Sequence, residues 1–308
     1  MKRSSKRPSF GVFVLATALG LLLLGCGGGG GETASPAAPS PTPPPAPAPI
    51  PTGDLIIDHQ HARLSRLNQI PPQWITAAKD TLVIAYGHTS HGSQIITGME
   101  GLNGFLATTR YSFSYDGAGG ALTLRDTPFS GASDLGNPNR TAWAEATRTY
   151  LDAHPEVNVV MWSWCGQVSD ASEADINTYL NLMNGLEIDY PNVLFVYMTG
   201  HLDGTGASGN LHQRNEQIRA YCRANNKILY DFADIESYNP DDVNFLVLGA
   251  NDGCDYSGGN WAMEWQILHI PDVDWYNCSP AHTQPLNGNL KAYAAWWLWA
   301  RLAGWTGP

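Results

Sequence analysis

Charged residues are scarce in this 308-residue chain, and basic ones are scarcer than acidic ones. Lys and Arg number 17 against 28 Asp and Glu, which leaves a formal net charge of −11. An acidic protein repels phosphate groups before local contacts form, so nucleic acid is excluded as the expected partner. With 43% hydrophobic residues, however, the chain is too apolar to be wholly disordered, and we expect a folded core.

The short signatures of zinc sites are also missing, because the chain has no Cys-x-x-Cys pair and no His-Glu-x-x-His segment. Four histidines do occur early, at His59, His61, His88 and His91. The spacing of His59 and His61 suits metal ligation on a strand, so a metal-dependent hydrolase stays open as an alternative. We expect neither a metal nor an organic cofactor.

Residues 1–26 have the pattern of an export signal. Four basic residues within the first seven positions precede an uncharged apolar stretch over 10–24 that is too short to span a bilayer comfortably. The stretch ends on Leu23-Leu24-Gly25-Cys26, which resembles the bacterial lipobox. The resemblance implies a lipidated Cys26 that anchors the protein in a membrane, and Gly27 after it favours the outer membrane or cell surface.

Residues 27–53 are rich in Gly and Pro, a composition that buries nothing and is typical of a semi-extended, disordered tether. The remaining residues, 54–308, are enough for one large globular domain.

Cysteine is rare, with five residues in the chain and four beyond Cys26. Export would place Cys165, Cys222, Cys254 and Cys278 in an oxidising compartment, where disulfides are expected. Four cysteines allow three pairings, and the spacing does not choose among them. Our preferred pairing joins Cys254 to Cys278 and Cys165 to Cys222.

Apolar runs alternate with helix-compatible segments from residue 81 to the end. The predicted strands are Thr81–Tyr86, Val157–Trp162, Val193–Met198 and Lys227–Phe232, and the predicted helices are Ser93–Thr108, Ala171–Leu186, Asn210–Asn225 and Asn289–Leu302. Short unalternated apolar runs separated by helices indicate parallel strands that are buried on both faces. We therefore expect an α/β fold, a three-layer α/β/α sandwich with a mainly parallel sheet.

Ligands of such sheets bind at the carboxyl ends of the strands, so the residues that follow each strand are informative. The first strand is followed by the segment GHTSHG (residues 87–92), where a hydroxyl would lie beside free helix N–H groups that stabilise an oxyanion. A hydroxyl at such a turn can also serve only as a helix cap. The next strand is followed by Gly166-Gln167, and His282 precedes the last helix, where an imidazole can accept the hydroxyl proton.

This order of a hydroxyl turn, an amide and a late histidine resembles the SGNH/GDSL hydrolase family over most of residues 78–308. Residues 87–92 look like a GHxSxG variant of the first block of that family. The resemblance implies a flavodoxin-like sheet, Ser90 as nucleophile with its own N–H in the oxyanion hole, and His282 as general base. In the usual pattern the serine lies two residues after the glycine, so Thr89 and, less directly, Ser93 stay open as alternatives.

Two further blocks of the family are degenerate here. Gln167 stands in for the usual Asn, and Gly136 is the best counterpart of the second oxyanion glycine. The carboxylate that normally lies three residues before the histidine is replaced by Ser279, so Asp272, Asp274 or a backbone carbonyl would have to orient His282.

The chemistry expected from this set is acyl transfer to water by a serine esterase. Its substrate would be a small-molecule or glycan ester, with O-acetyl groups of surface glycans as one class. Trp162, Trp164, Trp261, Trp265 and Trp275 lie near predicted loops and would stack on sugars, whereas Trp296, Trp297 and Trp299 are expected in the core. The alternative from another class is a non-catalytic glycan-binding module on the same fold.

Overall fold

The computed structural model describes residues 55–308, so the predicted export signal, Cys26 and the Gly/Pro-rich tether lie outside the described residues. None of the helices within the described range is long and apolar enough to cross a membrane.

Nine strands and nine α-helices occur in the described residues. The strands are β1 (Ile56–Ile57), β2 (Val83–Gly87), β3 (Phe113–Ser114), β4 (Leu122–Asp126), β5 (Val159–Trp162), β6 (Leu194–Met198), β7 (Ile228–Tyr230), β8 (Asp255–Tyr256) and β9 (Gly259–Asn260). The helices are α1 (Leu64–Leu67), α2 (Pro72–Thr81), α3 (Ser93–Phe105), α4 (Ala142–Ala153), α5 (Glu173–Asp189), α6 (Asn210–Ala224), α7 (Phe232–Ser237), α8 (Trp261–Leu268) and α9 (Pro285–Leu302).

Seven strands form one parallel sheet in the order β1-β7-β6-β5-β2-β4-β3, while β8 and β9 form a separate antiparallel pair. The inner strands β4-β2-β5-β6-β7 have the 2-1-3-4-5 order of flavodoxin-like sheets. The strand order reverses between β2 and β5, and such a reversal opens a crevice at the carboxyl edge of the sheet. The loops after β2 and β5 therefore lie on either side of the natural ligand site.

Helices cover both faces of this sheet, which confirms the predicted three-layer α/β/α sandwich. One core contains buried side chains of α1, α2, α3, α7, α8 and α9, and the other contains those of α4, α5 and α6. Alternate residues of β5 contribute to the two cores, with Val159 and Met161 on one face and Val160 and Trp162 on the other. Burial on both faces explains why these strands are unalternated apolar runs.

Helix α9 is buried along its whole length from Leu286 to Leu302, and it contains Trp296, Trp297 and Trp299 as predicted. A side chain at Gly98 of α3 would come within 2.0 Å of the carbonyl oxygen of Gly288, so the two helices pack backbone to backbone at this point. This contact holds the start of α9, and the loop before it, against α3.

The tryptophans expected to stack on sugars are mostly in the cores instead. Trp162, Trp164, Trp261 and Trp265 are buried, and of the five only Trp275 is partly exposed. Their rings pack on other aromatic residues, so four of the five are not available as a sugar platform.

The predicted disulfides are wrong, because Cys165, Cys222, Cys254 and Cys278 are all free thiols. Cys165 follows the carboxyl end of β5, whereas Cys222 lies in the last turns of α6 and packs among the helices of the second core. The thiol of Cys254 lies 3.3 Å from Thr283 Oγ1, and that of Cys278 accepts a hydrogen bond from Asn289 at 3.4 Å. The even number of cysteines and the expected oxidising compartment do not determine which sulfur atoms the fold brings together.

Candidate active site

The turn after β2 carries the predicted nucleophile and is shaped by two glycines. A side chain at Gly87 would lie 2.3 Å from the ring of Trp162, and one at Gly92 would lie 2.3 Å from Ser163 Oγ. Only residues without a Cβ allow β2 and the start of α3 to pack this closely on the end of β5. Tyr86 also donates a hydrogen bond from its hydroxyl to the carbonyl of Gly92 at 3.0 Å, which closes the turn.

The structure brings together the serine and histidine predicted from the sequence. Ser90 Oγ lies 2.9 Å from His282 Nε2, although the two residues are 192 positions apart. Ser90 is partly exposed and His282 is exposed, so an incoming ligand can reach both side chains. The separation is within hydrogen-bonding range, which is the geometry that a nucleophile and its general base require.

His282 is held in an unusual backbone conformation, with a φ of +65°. This left-handed region costs a non-glycine residue on the order of 1 kcal/mol, and such strain persists where the surroundings fix it. The preceding carbonyl, that of Ala281, accepts a hydrogen bond from Gln94 Nε2 of α3 at 2.6 Å. The helix that follows the serine turn therefore also holds the loop of the histidine.

A buried ion pair supports this loop from below. Lys291 of α9 and Glu236 of α7 are both fully buried, with Nζ and Oε1 2.6 Å apart, and Lys291 also donates to Gln94 Oε1. The second oxygen of Glu236 accepts the N–H of Leu202, in the loop after β6, at 2.9 Å. Burial lowers the pKa of Lys291, while the neighbouring carboxylate opposes that change. One charged pair thus links the loop after β6 to the loop of His282.

Thr89 and Ser93 make contacts that differ from those of a nucleophile. The hydroxyl of Thr89 donates to Asp134 Oδ2 at 2.8 Å, and the hydroxyl of Ser93 donates to the carbonyl of Ser90 at 2.7 Å. Neither side chain contacts His282, so Ser90 is the hydroxyl of this turn that has a base beside it.

Gly136 and Gln167, the two further donors predicted for the oxyanion hole, donate to the buried carboxylate of Asp134. The N–H of Gly136 donates to Asp134 Oδ1 at 2.8 Å, and Gln167 Nε2 donates to the same oxygen at 3.1 Å. Gln167 Oε1 in turn accepts the N–H of Cys165 at 2.9 Å. Gly136 has no second N–H, so in this structure it supports Asp134 instead of facing an incoming oxyanion.

Asp272 and Asp274, proposed to orient the histidine, do not contact it. Asp274 Oδ2 accepts the N–H of Ile270 at 2.9 Å, and the N–H of Asp272 donates to the carbonyl of Trp275 at 2.7 Å. Both residues belong to the turn between α8 and Tyr276, and the hydrogen bond from Ile270 to Asp274 closes this turn. The orientation of His282 therefore comes from other contacts.

Three imidazole rings are stacked at this site. The ring of His91 lies 4.5 Å from that of His282 on one side and 3.7 Å from that of His201 on the other, measured between centroids. His91 Nε2 lies 3.0 Å from Asp252 Oδ2, and its Nδ1 lies 3.3 Å from the thiol of Cys165. The carboxylate of Asp252 thus pairs with the ring stacked on His282.

The four early histidines do not converge on one point. His59 pairs with Asp234 at 2.5 Å, His61 with Asp58 at 2.9 Å, His88 with Asp126 at 2.6 Å, and His91 with Asp252. Each therefore has a carboxylate of its own, and the four do not form a single metal site.

Two other sets of residues place their ligand atoms within 4.8 Å of one another: His91 with His201 and Asp252, and His59 with Asp58 and Asp234. In the first set the rings of His91 and His201 are parallel to within 2°. The lone pairs of parallel stacked rings do not point at a common atom, so a metal ion there would require one ring to rotate.

The sequence reasoning missed Asp252, His201 and the pairing of Cys165 with His91. His201 follows β6 at the carboxyl edge, and this position after a buried strand was a usable signal. Asp252 had no such signal because it lies in a loop between a short 3₁₀ turn and β8, where no periodic pattern predicts its position.

A cleft of about 220 Å³ opens beside the serine turn and is lined by Gly87, His88, Phe129 and Trp162 among others.

Neither a protein-family model nor a curated protein nor a solved structure matches the chain significantly.

Proposed function

We propose that the protein is a serine esterase in which Ser90 attacks an ester carbonyl and His282 is the general base. The single observation that carries the proposal is the 2.9 Å separation of Ser90 Oγ and His282 Nε2 at the carboxyl edge of the sheet. The crevice beside β2 and β5 is where ligands bind in sheets of this strand order. The resemblance of residues 87–92 to the first block of SGNH/GDSL hydrolases supports the same assignment.

In this reaction His282 takes the proton of Ser90 as its oxygen bonds to the acyl carbon. The alcohol then leaves with the proton from His282. Water attacks the acyl-serine next, and His282 takes a proton from this water and returns it to Ser90 Oγ as the acid is released. The N–H of Ser90, near the start of α3, is a donor for the oxyanion, and Gln167 has a second amide hydrogen. The reaction needs no metal or organic cofactor.

The test measures hydrolysis of p-nitrophenyl acetate by the full-length protein. Ser90→Ala is expected to lower kcat at least about a thousandfold. His282→Ala should lower it by about 10² to 10⁴-fold, the usual contribution of a general base. Ser114→Ala, at the far edge of the sheet, and His212→Ala, on α6, are the matched controls and should turn over normally. Unchanged turnover in Ser90→Ala would remove the assignment.

We propose acetyl esters of glycans as the substrate class, because an esterase anchored at the cell surface by the lipobox-like residues 23–26 would face surface glycans. Release of acetate from an acetylated polysaccharide, absent in Ser90→Ala, is the expected result. Tight binding of the same polysaccharide without release would instead identify a non-catalytic glycan-binding module.

We also propose that the protein is an exported lipoprotein of the outer membrane or cell surface, on the strength of the lipobox-like residues 23–26. Cells expressing the protein should incorporate radiolabelled palmitate into it, and Cys26→Ala should abolish the labelling. Labelling that persists in Cys26→Ala would contradict this assignment.

A further inference from the structure

A second nucleophile lies at the same crevice, on the other side of the point where the strand order reverses. Cys165 follows β5, its thiol is free, and its side chain is partly exposed. Its Sγ lies 3.3 Å from His91 Nδ1, within hydrogen-bonding range of a sulfur atom. A thiol beside an imidazole is the arrangement that activates cysteine nucleophiles.

The other nitrogen of His91 is fixed by a carboxylate. Asp252 Oδ2 lies 3.0 Å from His91 Nε2, and a carboxylate only accepts hydrogen bonds, so Nε2 carries the proton. This tautomer turns the lone pair of Nδ1 towards the thiol of Cys165, as a general base requires. Cys165, His91 and Asp252 thus form a nucleophile, a base and an orienting acid in one line.

Electrostatics keep this imidazole uncharged and its partner ionised. Burial lowers the pKa of His91, an effect that the hydrogen bond to Asp252 opposes. Burial alone would raise the pKa of Asp252, but the hydrogen bond from His91 and the nearby His201 lower it overall. A neutral imidazole can accept the thiol proton, and an anionic carboxylate stabilises the imidazolium that results.

The other three free cysteines have no comparable base. Burial raises the pKa of Cys254 and of Cys278 to about 12, and that of Cys222 is raised as well. Among the described residues, Cys165 is the cysteine whose sulfur contacts an imidazole.

An unpartnered nitrogen of His201, close to the loop of Cys165, indicates that a ligand binds beside Cys165. His201 Nδ1 donates to the carbonyl of Leu202 at 2.8 Å, so its Nε2 is a lone-pair acceptor, and this atom is buried without a partner. Only 9% of His201 is exposed, and Nε2 lies on the side of Gly166, the residue after Cys165. A buried acceptor without a donor is costly, and a hydroxyl or amide N–H of a bound substrate would satisfy it.

We propose that Cys165, His91 and Asp252 are a second nucleophilic centre that accepts acyl groups from thioesters. His91 Nδ1 takes the thiol proton as Sγ bonds to the acyl carbon, and the leaving thiol departs with that proton. The product is an acyl-cysteine thioester. Water then attacks the thioester, gives its proton to His91, and releases the acid as the proton returns to the sulfur of Cys165. No oxidant, reductant or cofactor takes part.

The first test is alkylation of the reduced full-length protein by iodoacetamide at neutral pH, with the rate at each cysteine measured by peptide mass spectrometry. Cys165 is expected to react at least about tenfold faster than Cys278, because His91 lies beside Cys165 whereas burial raises the pKa of Cys278 to about 12. His91→Ala and Asp252→Asn should each slow Cys165 about tenfold, while His212→Ala and Asp255→Asn, the matched controls, should not. A Cys165 rate that is the same in His91→Ala as in the native protein would overturn the proposal.

The second test traps the acyl-enzyme with the acetyl thioester of N-acetylcysteamine, followed by an acid quench and peptide mapping. An acetyl group is expected on Cys165 in the native protein and in Ser90→Ala. It should be absent in His91→Ala, because that variant lacks the base that takes the thiol proton. If the acetyl group is found on Ser90 alone, the Cys165 proposal is overturned and the esterase proposal stands. If it is found on Cys165 and Ser90→Ala hydrolyses p-nitrophenyl acetate normally, the Cys165 proposal stands and the esterase proposal is overturned. Protection of Cys165 from alkylation that a chelator removes would assign His91, His201 and Asp252 to a metal ion and would also overturn the triad.

Discussion

The imidazole of His91 lies face to face with that of His282, with centroids 4.5 Å apart and planes within 15°. Within residues 55–308 no carboxylate forms an ion pair with His282, and its ring is exposed, so the stack is a main restraint on the ring besides the contact with Ser90. Aromatic stacking contributes about 0.5–1.5 kcal/mol beyond area burial, enough to favour one ring orientation. Since His91 is itself held by Asp252, the orientation of the base beside Ser90 depends on a neighbour in the stack.

Replacing His91 should therefore affect ester hydrolysis through the position of His282. His91→Ala is expected to lower kcat for p-nitrophenyl acetate about tenfold, equivalent to about 1.4 kcal/mol, with little change in KM. His91→Phe retains a ring on the face of His282 and should recover most of the loss. A Phe variant no better than Ala would show that the stack does not position the base.

Thr89 should contribute to stability and not to turnover. Thr89→Val removes one of the donors to the buried Asp134 and should lower the free energy of unfolding by about 1 kcal/mol, measured with urea. Hydrolysis of p-nitrophenyl acetate should continue, in contrast to Ser90→Ala. Thr178→Val, on the exposed face of α5, is the matched control and should affect neither quantity. Loss of turnover in Thr89→Val would move the nucleophile to Thr89.

The pairing of Asp252 with His91 predicts a pH-dependent contribution to stability. Burial is the largest single influence on the pKa of Asp252 and raises it, but the hydrogen bond from His91, the charges of His201 and His91 and the N–H of Gly253 together bring it below its usual 3.8. A carboxylate with a depressed folded pKa stabilises the fold above the unfolded pKa, and this stabilisation disappears as the pH falls through the folded value. The difference in Tm between the native protein and Asp252→Asn should thus shrink from pH 6 to pH 3. A difference that grows on acidification would contradict the pairing.

The central strands could be predicted from sequence because burial on both faces leaves a continuous apolar run, as in VLFVYM over residues 193–198, which contains β6. The edge strands β1 and β3 have two residues each and give no such signal. Their pairing depends on neighbours that are distant in the chain, with β1 adding to β7. Sequence patterns of local period contain no information about these partners.

The same distinction separates the site residues. Ser90 and His282 could be predicted because each lies next to an element with a clear boundary, the end of β2 and the start of α9. Asp252 could not, because its approach to His91 depends on the path of an irregular loop. The even number of cysteines and the expected compartment predict a disulfide for Cys165, and its imidazole partner becomes evident only when the loops after β2 and β5 are placed side by side.

The buried pair of Lys291 and Glu236 should be among the most sensitive positions for stability. Both side chains are fully inaccessible, so Lys291→Met leaves the Glu236 carboxylate without compensation and should cost about 3–5 kcal/mol of unfolding free energy. The double variant Lys291→Met with Glu236→Gln removes the stranded charge and keeps an acceptor for the N–H of Leu202, so it should recover much of that loss. Urea unfolding at pH 7 measures both.

The control is Lys227→Met, which removes an ammonium paired with Glu187 near the surface. Both partners there keep part of their side chains in water, and such pairs contribute about 1 kcal/mol or less. If Lys291→Met costs no more than Lys227→Met, the buried pair does not hold the loops after β6 and before α9. If the double variant regains stability but turns over ester slowly, the pair acts on the position of His282, because Lys291 reaches the His282 loop through Gln94.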